Sequence, residues 1–332
     1  IIMKNILMIL AISFAFFSCE ANNNDNTKLL QPIKLKGNNW AEKLGYPKNS
    51  RVIMLHADDI GMCSEANEAV IPYLLNNQIQ SASAMVPCAW FNDIADWYKK
   101  NPDQDIGLHL TLTSEWKLYR WGPVSNELMN SNITDSEGYL WRRVKDVVSN
   151  VSVDDIEIEI RAQINRAREL GIEPGHIDTH MGTLYSKVEY AELFFNIAME
   201  YGIPANVIEF TPEKVEIYRK QGYPITDRLI KSASKYTLPK IDNMVPVPNA
   251  KSYDEIKENF YKLIKSLEPG ITEIYFHPSI ETNGLKKITN SWQQRVWEAK
   301  MFSDPEVINF LKNEGVLFTN WKEMMKRYKD QT

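Results

Sequence analysis

A short apolar run that ends in one histidine and two acids constrains the fold more than any other stretch of the chain. Residues 52–55 are apolar and predict a buried strand, and His56, Asp58 and Asp59 follow it directly. Gly61 then supplies a turn into a helical segment. In α/β proteins the functional groups gather where parallel strands end at their carboxyl edge. The run therefore predicts an α/β fold with a site at this edge.

The rest of the chain alternates short apolar runs with amphipathic segments. Further strands are predicted at 81–86, 105–112, 175–180, 204–209, 272–277 and 316–319. Helices are predicted at 65–77, 91–100, 153–170, 190–201, 253–267, 292–301, 305–313 and 321–328. No Gly-rich phosphate fingerprint follows any of the strands. A (β/α) barrel, distorted or incomplete, therefore fits this pattern better than an open dinucleotide-binding sheet.

Two stretches interrupt the pattern. Residues 113–152 are rich in Trp, Tyr, Ser and Asn and predict a long insertion in a single barrel domain that spans 37–332. Residues 211–247 show no regular period and are interpreted as a second, irregular insertion.

The amino-terminal residues predict a targeting signal rather than part of the fold. Lys4 precedes the apolar residues 6–17, which are too few to span a bilayer comfortably, and Cys19 follows them. This order resembles a bacterial lipoprotein signal over 1–19, with Cys19 lipidated; an ordinary cleaved signal is the alternative. Polar residues 20–36 predict a flexible tether. We expect a lipid-anchored protein of the bacterial cell envelope, attached to the membrane by that lipid only.

Composition excludes some classes of protein. A net charge of -5 without a basic block argues against nucleic acid as a partner. Three cysteines are too few for a disulfide scaffold, and Cys63 and Cys88 can be free or paired.

The histidines are the strongest functional signal. The chain has only five, and each lies in or at the end of a predicted strand: His56, His109, His176, His180 and His277. One such residue alone is commonly a packed histidine. Because strand ends of a barrel converge on one rim, the five histidines and their neighbouring acids predict a divalent-metal or acid–base site there.

Four motifs in order resemble one protein family. They read His-Ala-Asp-Asp-Ile-Gly at 56–61, Gly-Leu-His-Leu-Thr-Leu at 107–112, His-Ile-Asp-Thr-His at 176–180 and Phe-His-Pro at 276–278. Together they resemble the YdjC-like (ChbG/HpnK) carbohydrate deacetylases. The resemblance implies a (β/α) barrel related to polysaccharide deacetylases. It also implies that one divalent metal ion, magnesium or zinc, assists removal of the acetyl group from an N-acetylated sugar or oligosaccharide.

The resemblance implies a role for each motif residue. Asp58 would be the general base, and His277 would act near the leaving amine as general acid or stabilising group. The metal ligands would be Asp59, His109 and His180. The residues that orient these ligands would be His176 and Asp178. His56 stands where the family often has Asn, and we expect it to support the ligands rather than to bind the metal.

The adjacent acids need a particular backbone to share one site. Asp58 and Asp59 would point to opposite faces of a regular strand, so we expect the backbone to turn between them. One carboxylate can then bind the metal while its neighbour accepts a proton. A divalent ion can polarise an amide carbonyl and lower the pKa of water.

The long loop and the overall activity leave alternatives open. Trp116, Arg120 and Trp121 could stack on or hydrogen-bond to a sugar, pack within a small subdomain, or form an oligomer contact such as a homodimer. One alternative function is a glycan-binding lipoprotein without turnover. Another is a metal-dependent hydrolase of O-acetyl esters or small amides.

Overall fold

The computed structural model describes residues 39–129, 131–220 and 222–331. The predicted signal at 1–19 and the tether at 20–36 lie outside these residues and stay predictions. Within the described ranges, no helix combines the length and the apolar character that crossing a membrane requires.

The strands form one parallel sheet in the order β4-β3-β2-β1-β6-β5, and β7 pairs with the first half of β1. Their bounds are β1 Arg51–Ile60, β2 Ser81–Ala84, β3 Ile106–Leu110, β4 Ile177–Thr179, β5 Asn243–Pro246, β6 Gly270–Phe276 and β7 Leu317–Phe318. The central strand β1 pairs with three neighbours and is buried over nine of its ten residues. This explains the unbroken apolar run at 52–55.

Isolated bridges curl the sheet towards closure. Ala205 bridges to Ile177 of β4, and Ile208 bridges to Ile241, just before β5. The segment 205–208 therefore links the two edges of the sheet. The predicted distorted (β/α) barrel is confirmed, although the strand predicted at 204–209 consists only of these bridges.

Helices cover the outside of the sheet. Their bounds are α1 Trp40–Lys43, α2 Ser64–Leu75, α3 Phe91–Tyr98, α4 Val144–Asn150, α5 Val153–Glu169, α6 Val188–Tyr201, α7 Pro212–Lys220, α8 Asp227–Lys235, α9 Tyr253–Ser266, α10 Asn283–Ile288, α11 Trp292–Ser303, α12 Pro305–Asn313 and α13 Trp321–Gln331. The interpretation of 211–247 as an irregular insertion was wrong, because α7, α8 and β5 lie within it.

Helix α5 shows how a helix is fixed to the barrel. Ile156, Ile160 and Ile164 recur at every fourth position, are fully buried, and each contribute about 1.5–3 kcal/mol of apolar burial. The Ser152 side chain caps its first turn by accepting from the Asp155 N–H at 3.0 Å. The face that carries these isoleucines is therefore held against the core.

Two polar side chains of α5 position the chain after β3. Gln163 accepts from the N–H of Thr111 at 3.0 Å and donates to its carbonyl at 2.7 Å. Glu159 accepts from the N–H groups of Val124 and Ser125, at 2.9 and 3.0 Å. The end of β3 and residues 124–125 of the long loop are thereby fixed from the same helix.

Candidate metal centre

The site begins at the end of β1. Asp59 adopts a left-handed backbone with φ of 66°, and the pairing register with β2 shifts between Ala57 and Ile60. This is the turn expected from the adjacent acids, and it brings both carboxylates to the same cluster. Left-handed φ is uncommon for a residue other than glycine, so surrounding contacts must hold this conformation.

Two side chains from other strand ends meet at Asp59. Its Oδ1 atom lies 3.5 Å from Nε2 of His109, at the end of β3, and 3.3 Å from Nδ1 of His180, just after β4. The three ligand atoms all lie within 4.8 Å of one another, and all three residues are buried. Asp59, His109 and His180 are the residues that the sequence resemblance proposed as ligands.

This cluster fits a divalent metal ion. Ligand atoms about 3.3 Å apart are what tetrahedral bonds of about 2.1 Å produce. Among the described residues, the buried Oδ1 of Asp59 has no hydrogen-bond donor, and such an orphaned acceptor is costly unless something satisfies it. Two imidazoles and one carboxylate form a donor set that suits zinc or a similar ion and leaves coordination positions open.

A carboxylate orients each imidazole. Nδ1 of His109 hydrogen-bonds to Oδ1 of Asp178 at 2.6 Å, and Nε2 of His180 contacts Oε2 of Glu115 at 3.1 Å. In both residues the remaining ring nitrogen is the one that faces Asp59. Such outer contacts set the tautomer of a metal-binding histidine and its ring orientation.

The charges around the cluster are those of a cation site. Burial alone lowers the pKa of His180, but Glu115 and Asp59 raise it to about 10. At His109 burial also lowers the pKa, but the charges of Asp178 and Asp58 raise it above its ordinary value. The surrounding carboxylates thus favour positive charge here, and a metal ion would replace these protons.

Asp58 and His277 stand beside the cluster. Oδ2 of Asp58 lies 4.0 Å from Nε2 of His109 and 3.7 Å from Nε2 of His277. Glu298 on α11 accepts from the backbone N–H of His277 at 2.7 Å and so fixes the end of β6. The His277 side chain is 36% exposed, while Asp58 is mostly buried. One acid and one accessible imidazole therefore flank the ligand triad.

His56, His176 and Asp178 form a second buried cluster next to it. Nε2 of His56 contacts Asp178 at 3.1 Å and Asp58 at 3.2 Å, and its Nδ1 contacts Ser81 at 3.0 Å. These contacts already engage both nitrogens of His56. The chain's own groups thus satisfy His56, and it links Asp58 to the carboxylate behind His109.

His176 is enclosed by the barrel. It is fully buried and stacks on Trp321 with centroids 5.6 Å apart, and among the described residues neither of its ring nitrogens has a hydrogen-bond partner. Its Nε2 lies 3.9 Å from Asp178, too far for a hydrogen bond, so the ring packs beside the ligand-orienting carboxylate. A Cβ at Gly107 would lie 2.3 Å from the His176 ring, so β3 passes this ring with no room for a side chain.

The predicted loop residues have different surroundings. Arg120 is bound by Asp135 at 2.7 Å and by the Leu140 carbonyl at 2.8 Å, and Trp121 is buried. Both residues therefore make contacts within the loop, and their contact with substrate stays a prediction. Trp116 is half-buried, and its ring lies 5.7 Å from the guanidinium of Arg295. Its contact with substrate stays a prediction.

A pocket of about 600 Å³ adjoins the triad through Glu115. Its other lining residues are Asp135, Trp141, Arg142, Arg143, Asp146 and Met181. The indole N–H of Trp141 donates to the Asn132 carbonyl at 2.7 Å, which fixes the ring. This pocket is the concave region that the described residues place next to His180.

Sequence reasoning missed several residues of the site. Glu115 and Glu298 contact predicted functional residues, and Glu273 lies buried in the barrel, where its carboxylate accepts from Trp321 at 3.2 Å. Burial raises the pKa of Glu273 to about 7, although His56 opposes this. The missed residue closest to the ligands is Arg295, which donates to Asp59 at 2.7 Å.

Cys63 and Cys88 are both buried and free.

Comparison with known proteins identifies the family. The YdjC-like protein family model matches residues 52–313, most of the described chain. The chain belongs to the YdjC-like protein family. The matched range contains the metal-site triad, Asp58, His277 and Arg295.

Two named relatives match the chain over different lengths. A protein of Thermoanaerobacter pseudethanolicus named carbohydrate deacetylase is 28% identical over 274 residues, covering 82% of this chain and 98% of its own. A protein of Yersinia enterocolitica named chitooligosaccharide deacetylase is 27% identical over 135 residues, covering 39% of this chain and 49% of its own.

A solved structure supports the fold. An Enterococcus faecalis protein described as a cellobiose-phosphate cleavage protein matches with a TM-score of 0.67 and 20% identity. The match covers 83% of this chain and 99% of that one. At this identity the likeness concerns the architecture of the barrel.

Proposed function

We propose that this protein is a metal-dependent carbohydrate N-deacetylase that hydrolyses the acetamide of an amino-sugar-containing glycan to acetate and a free amine. The observation that carries the proposal is the convergence of Asp59, His109 and His180 beside Asp58 and His277. Membership of a family whose relatives are named for this activity supports the reaction class. The relative named for chitooligosaccharides supports an amino sugar as substrate.

Asp59, His109 and His180 would hold one divalent ion, zinc or magnesium. When bound, this ion supplies Lewis-acid polarisation of the acetyl carbonyl, which an amide needs because its carbon is a poor electrophile. The donor set favours zinc or a similar ion, since imidazole nitrogens are poor magnesium ligands.

Asp58 is the group placed to accept the proton of the attacking water. Its carboxylate is mostly buried, and the contact from His56 at Oδ1 leaves Oδ2 directed towards His109 and His277. A carboxylate held in this way can take up a proton as the new C–O bond forms. Replacing it with an amide would remove the acceptor and keep the shape.

His277 is the group placed to protonate the departing nitrogen. It approaches from the end of β6, on another strand from His109 and His180, and its accessible ring can reach a substrate. When the C–N bond breaks, the amine leaves with a proton from the imidazole. Asp58, 3.7 Å away, can then return the proton it took from water.

The pocket beside Glu115 is where the sugar would lie. Trp141 and Met181 provide apolar surface there, and Arg142 and Arg143 provide hydrogen-bond donors. A fixed indole ring can stack on the C–H face of a sugar, as ligand pockets commonly combine apolar walls with a few polar groups.

The test is acetate release from N-acetylated chito-oligosaccharides, other N-acetyl sugars and O-acetylated sugars. The assay runs with and without chelator, followed by readdition of zinc or magnesium. We expect release from an N-acetyl sugar that chelation abolishes and that Asp58→Asn and His109→Ala each reduce by at least about 100-fold. Release that chelator and both variants leave unchanged would contradict the mechanism. Release from esters alone would assign the site to O-acetyl groups.

A further inference from the structure

Arg295 is a buried cation whose contact with the metal cluster needs an explanation. It lies on α11, its side chain is 8% exposed, and its Nη2 atom donates to Oδ2 of Asp59 at 2.7 Å. Burial of a guanidinium is costly unless an acid compensates it, and Asp59 is that acid. The arginine thus stands directly behind a carboxylate whose other oxygen faces two imidazoles.

The contact gives the two carboxylate oxygens of Asp59 different surroundings. Oδ2 is occupied by Arg295, whereas Oδ1 is 3.3 Å from His180 and 3.5 Å from His109. Among the described residues no hydrogen bond reaches Oδ1. A carboxylate held in this way offers a metal ion one oxygen in a fixed direction, and it cannot rotate to bind through both.

Helix α11 is itself anchored next to the site. The Arg295 carbonyl accepts from the backbone N–H of Ser279 at 3.2 Å, and Glu298, one turn later, accepts from that of His277. Nε of Arg295 also contacts Ser291 at 3.3 Å. The same part of α11 therefore holds both the Arg295 guanidinium and the backbone of His277. The orientation of Asp59 is thereby linked to the position of the end of β6.

We propose that Arg295 is a positioning residue for the metal centre, which fixes Asp59 as a one-oxygen ligand directed at the cation between His109 and His180. The inference rests on the metal site of the proposed function but not on the identity of the substrate. Replacing Arg295 should change metal affinity in a direction that distinguishes positioning from simple charge repulsion. A nearby cation that acted only by charge would repel a metal ion, so its removal would strengthen binding. Loss of the positioning contact weakens binding instead.

The experiment measures zinc affinity of the purified protein by competition with a chromophoric chelator, together with the visible spectrum of bound Co²⁺. Arg295→Met should weaken zinc binding by about 10- to 100-fold, as removal of a ligand-orienting partner does elsewhere. It should also change the Co²⁺ spectrum, because Asp59 is then able to bind through both oxygens. Arg295→Lys, which restores one charged donor, should give an intermediate affinity.

Arg51→Met is the matched control. Arg51 lies at the opposite end of β1 from Asp59, and its half-buried guanidinium donates to the Ile264 carbonyl at 3.0 Å. The control should lower stability and leave zinc affinity and the Co²⁺ spectrum as in the wild type. If Arg295→Met does not fold, Arg295→Lys alone decides between weaker binding and no change.

The outcomes separate this inference from the proposed function. Zinc binding by Arg295→Met equal to or tighter than that of the wild type would overturn the positioning role and leave the metal site intact. An equal loss in Arg51→Met would also overturn it. A wild type that binds neither zinc nor Co²⁺ would overturn the metal site, and the proposed function with it. None of these conclusions depends on a measurement of acetate release.

Discussion

Asp178 offers the sharpest perturbation of the metal site that leaves every proposed ligand in place. Its Oδ1 atom accepts from Nδ1 of His109 at 2.6 Å, and its Oδ2 atom accepts from Nε2 of His56 at 3.1 Å. Burial alone would raise the pKa of Asp178, but His109 and His56 hold it below its ordinary value. Asp178→Asn keeps the size of the side chain, removes the charge and replaces one acceptor with a donor.

The magnitude follows from the hydrogen bond that is changed. A buried hydrogen bond to a charged group contributes about 1.5–3 kcal/mol. Each loss of about 1.4 kcal/mol corresponds to about tenfold in affinity, so we expect zinc affinity to fall by about 10- to 100-fold. The loss arises because His109 no longer has a carboxylate that holds its proton on Nδ1 and its Nε2 towards Asp59.

Isothermal titration of zinc into the metal-free protein measures this effect. Asp242→Asn is the matched control, because Asp242 is also buried and accepts two backbone hydrogen bonds, from Trp40 and from Ile271 at the start of β6. The control should lose stability and keep its zinc affinity. An unchanged affinity in Asp178→Asn would refute the orienting role, and an equal loss in both variants would show general loosening of the barrel instead.

Three further predictions test the fold, the barrel interior and the amino terminus. Burial raises the pKa of Glu159 from 4.5 to about 7 despite hydrogen bonds from Val124 and Ser125, so its folding contribution is greatest at low pH and is lost as pH rises through about 7. Between about pH 4 and about pH 8, the free energy of unfolding measured in denaturant should therefore fall by about 3 kcal/mol more for the wild type than for Glu159→Gln. A difference between the two proteins that does not change with pH would contradict this. Gly107→Ala should lower the free energy of unfolding by about 1–3 kcal/mol, because its Cβ meets the His176 ring; unchanged denaturation would refute that packing. Cys19→Ser should move the protein from the membrane to the soluble fraction of bacteria that express it and abolish fatty-acid labelling; labelling that persists would exclude lipidation at Cys19.

The central strand and its acids could be predicted because their signal is local. An apolar run that ends in His56, Asp58 and Asp59 specifies a buried strand and its polar end within eight residues of sequence. The convergence of His109 and His180 follows from the parallel barrel, which places all such ends on one rim. These are the parts of the site for which strand position alone carries the information.

Residues that complete the site from other elements could not be predicted in this way. Arg295 reaches Asp59 across 236 positions of sequence, and an arginine in a helix is ordinarily a solvated residue. Glu115 lies in a loop without a regular period. Composition likewise does not distinguish a packed aromatic loop from a sugar-binding surface, and the structure shows that Arg120 is bound by Asp135 and that Trp121 is buried.

Two differences in secondary structure have physical causes. The predicted strand at 204–209 is broken because the N–H of Val207 bonds back to the Ala205 carbonyl at 2.6 Å, which makes a tight turn inside the run. Helix α7 was not predicted because it has no buried residue and therefore no apolar period to detect. At 204–209 the sheet is completed by isolated bridges instead.

The most direct test of the metal centre is anomalous diffraction from crystals of the protein grown with zinc. We predict one strong anomalous peak about 2.0–2.2 Å from Oδ1 of Asp59, Nε2 of His109 and Nδ1 of His180. A peak between His56, His176 and Asp178 instead, or no peak at the strand ends, would contradict the account.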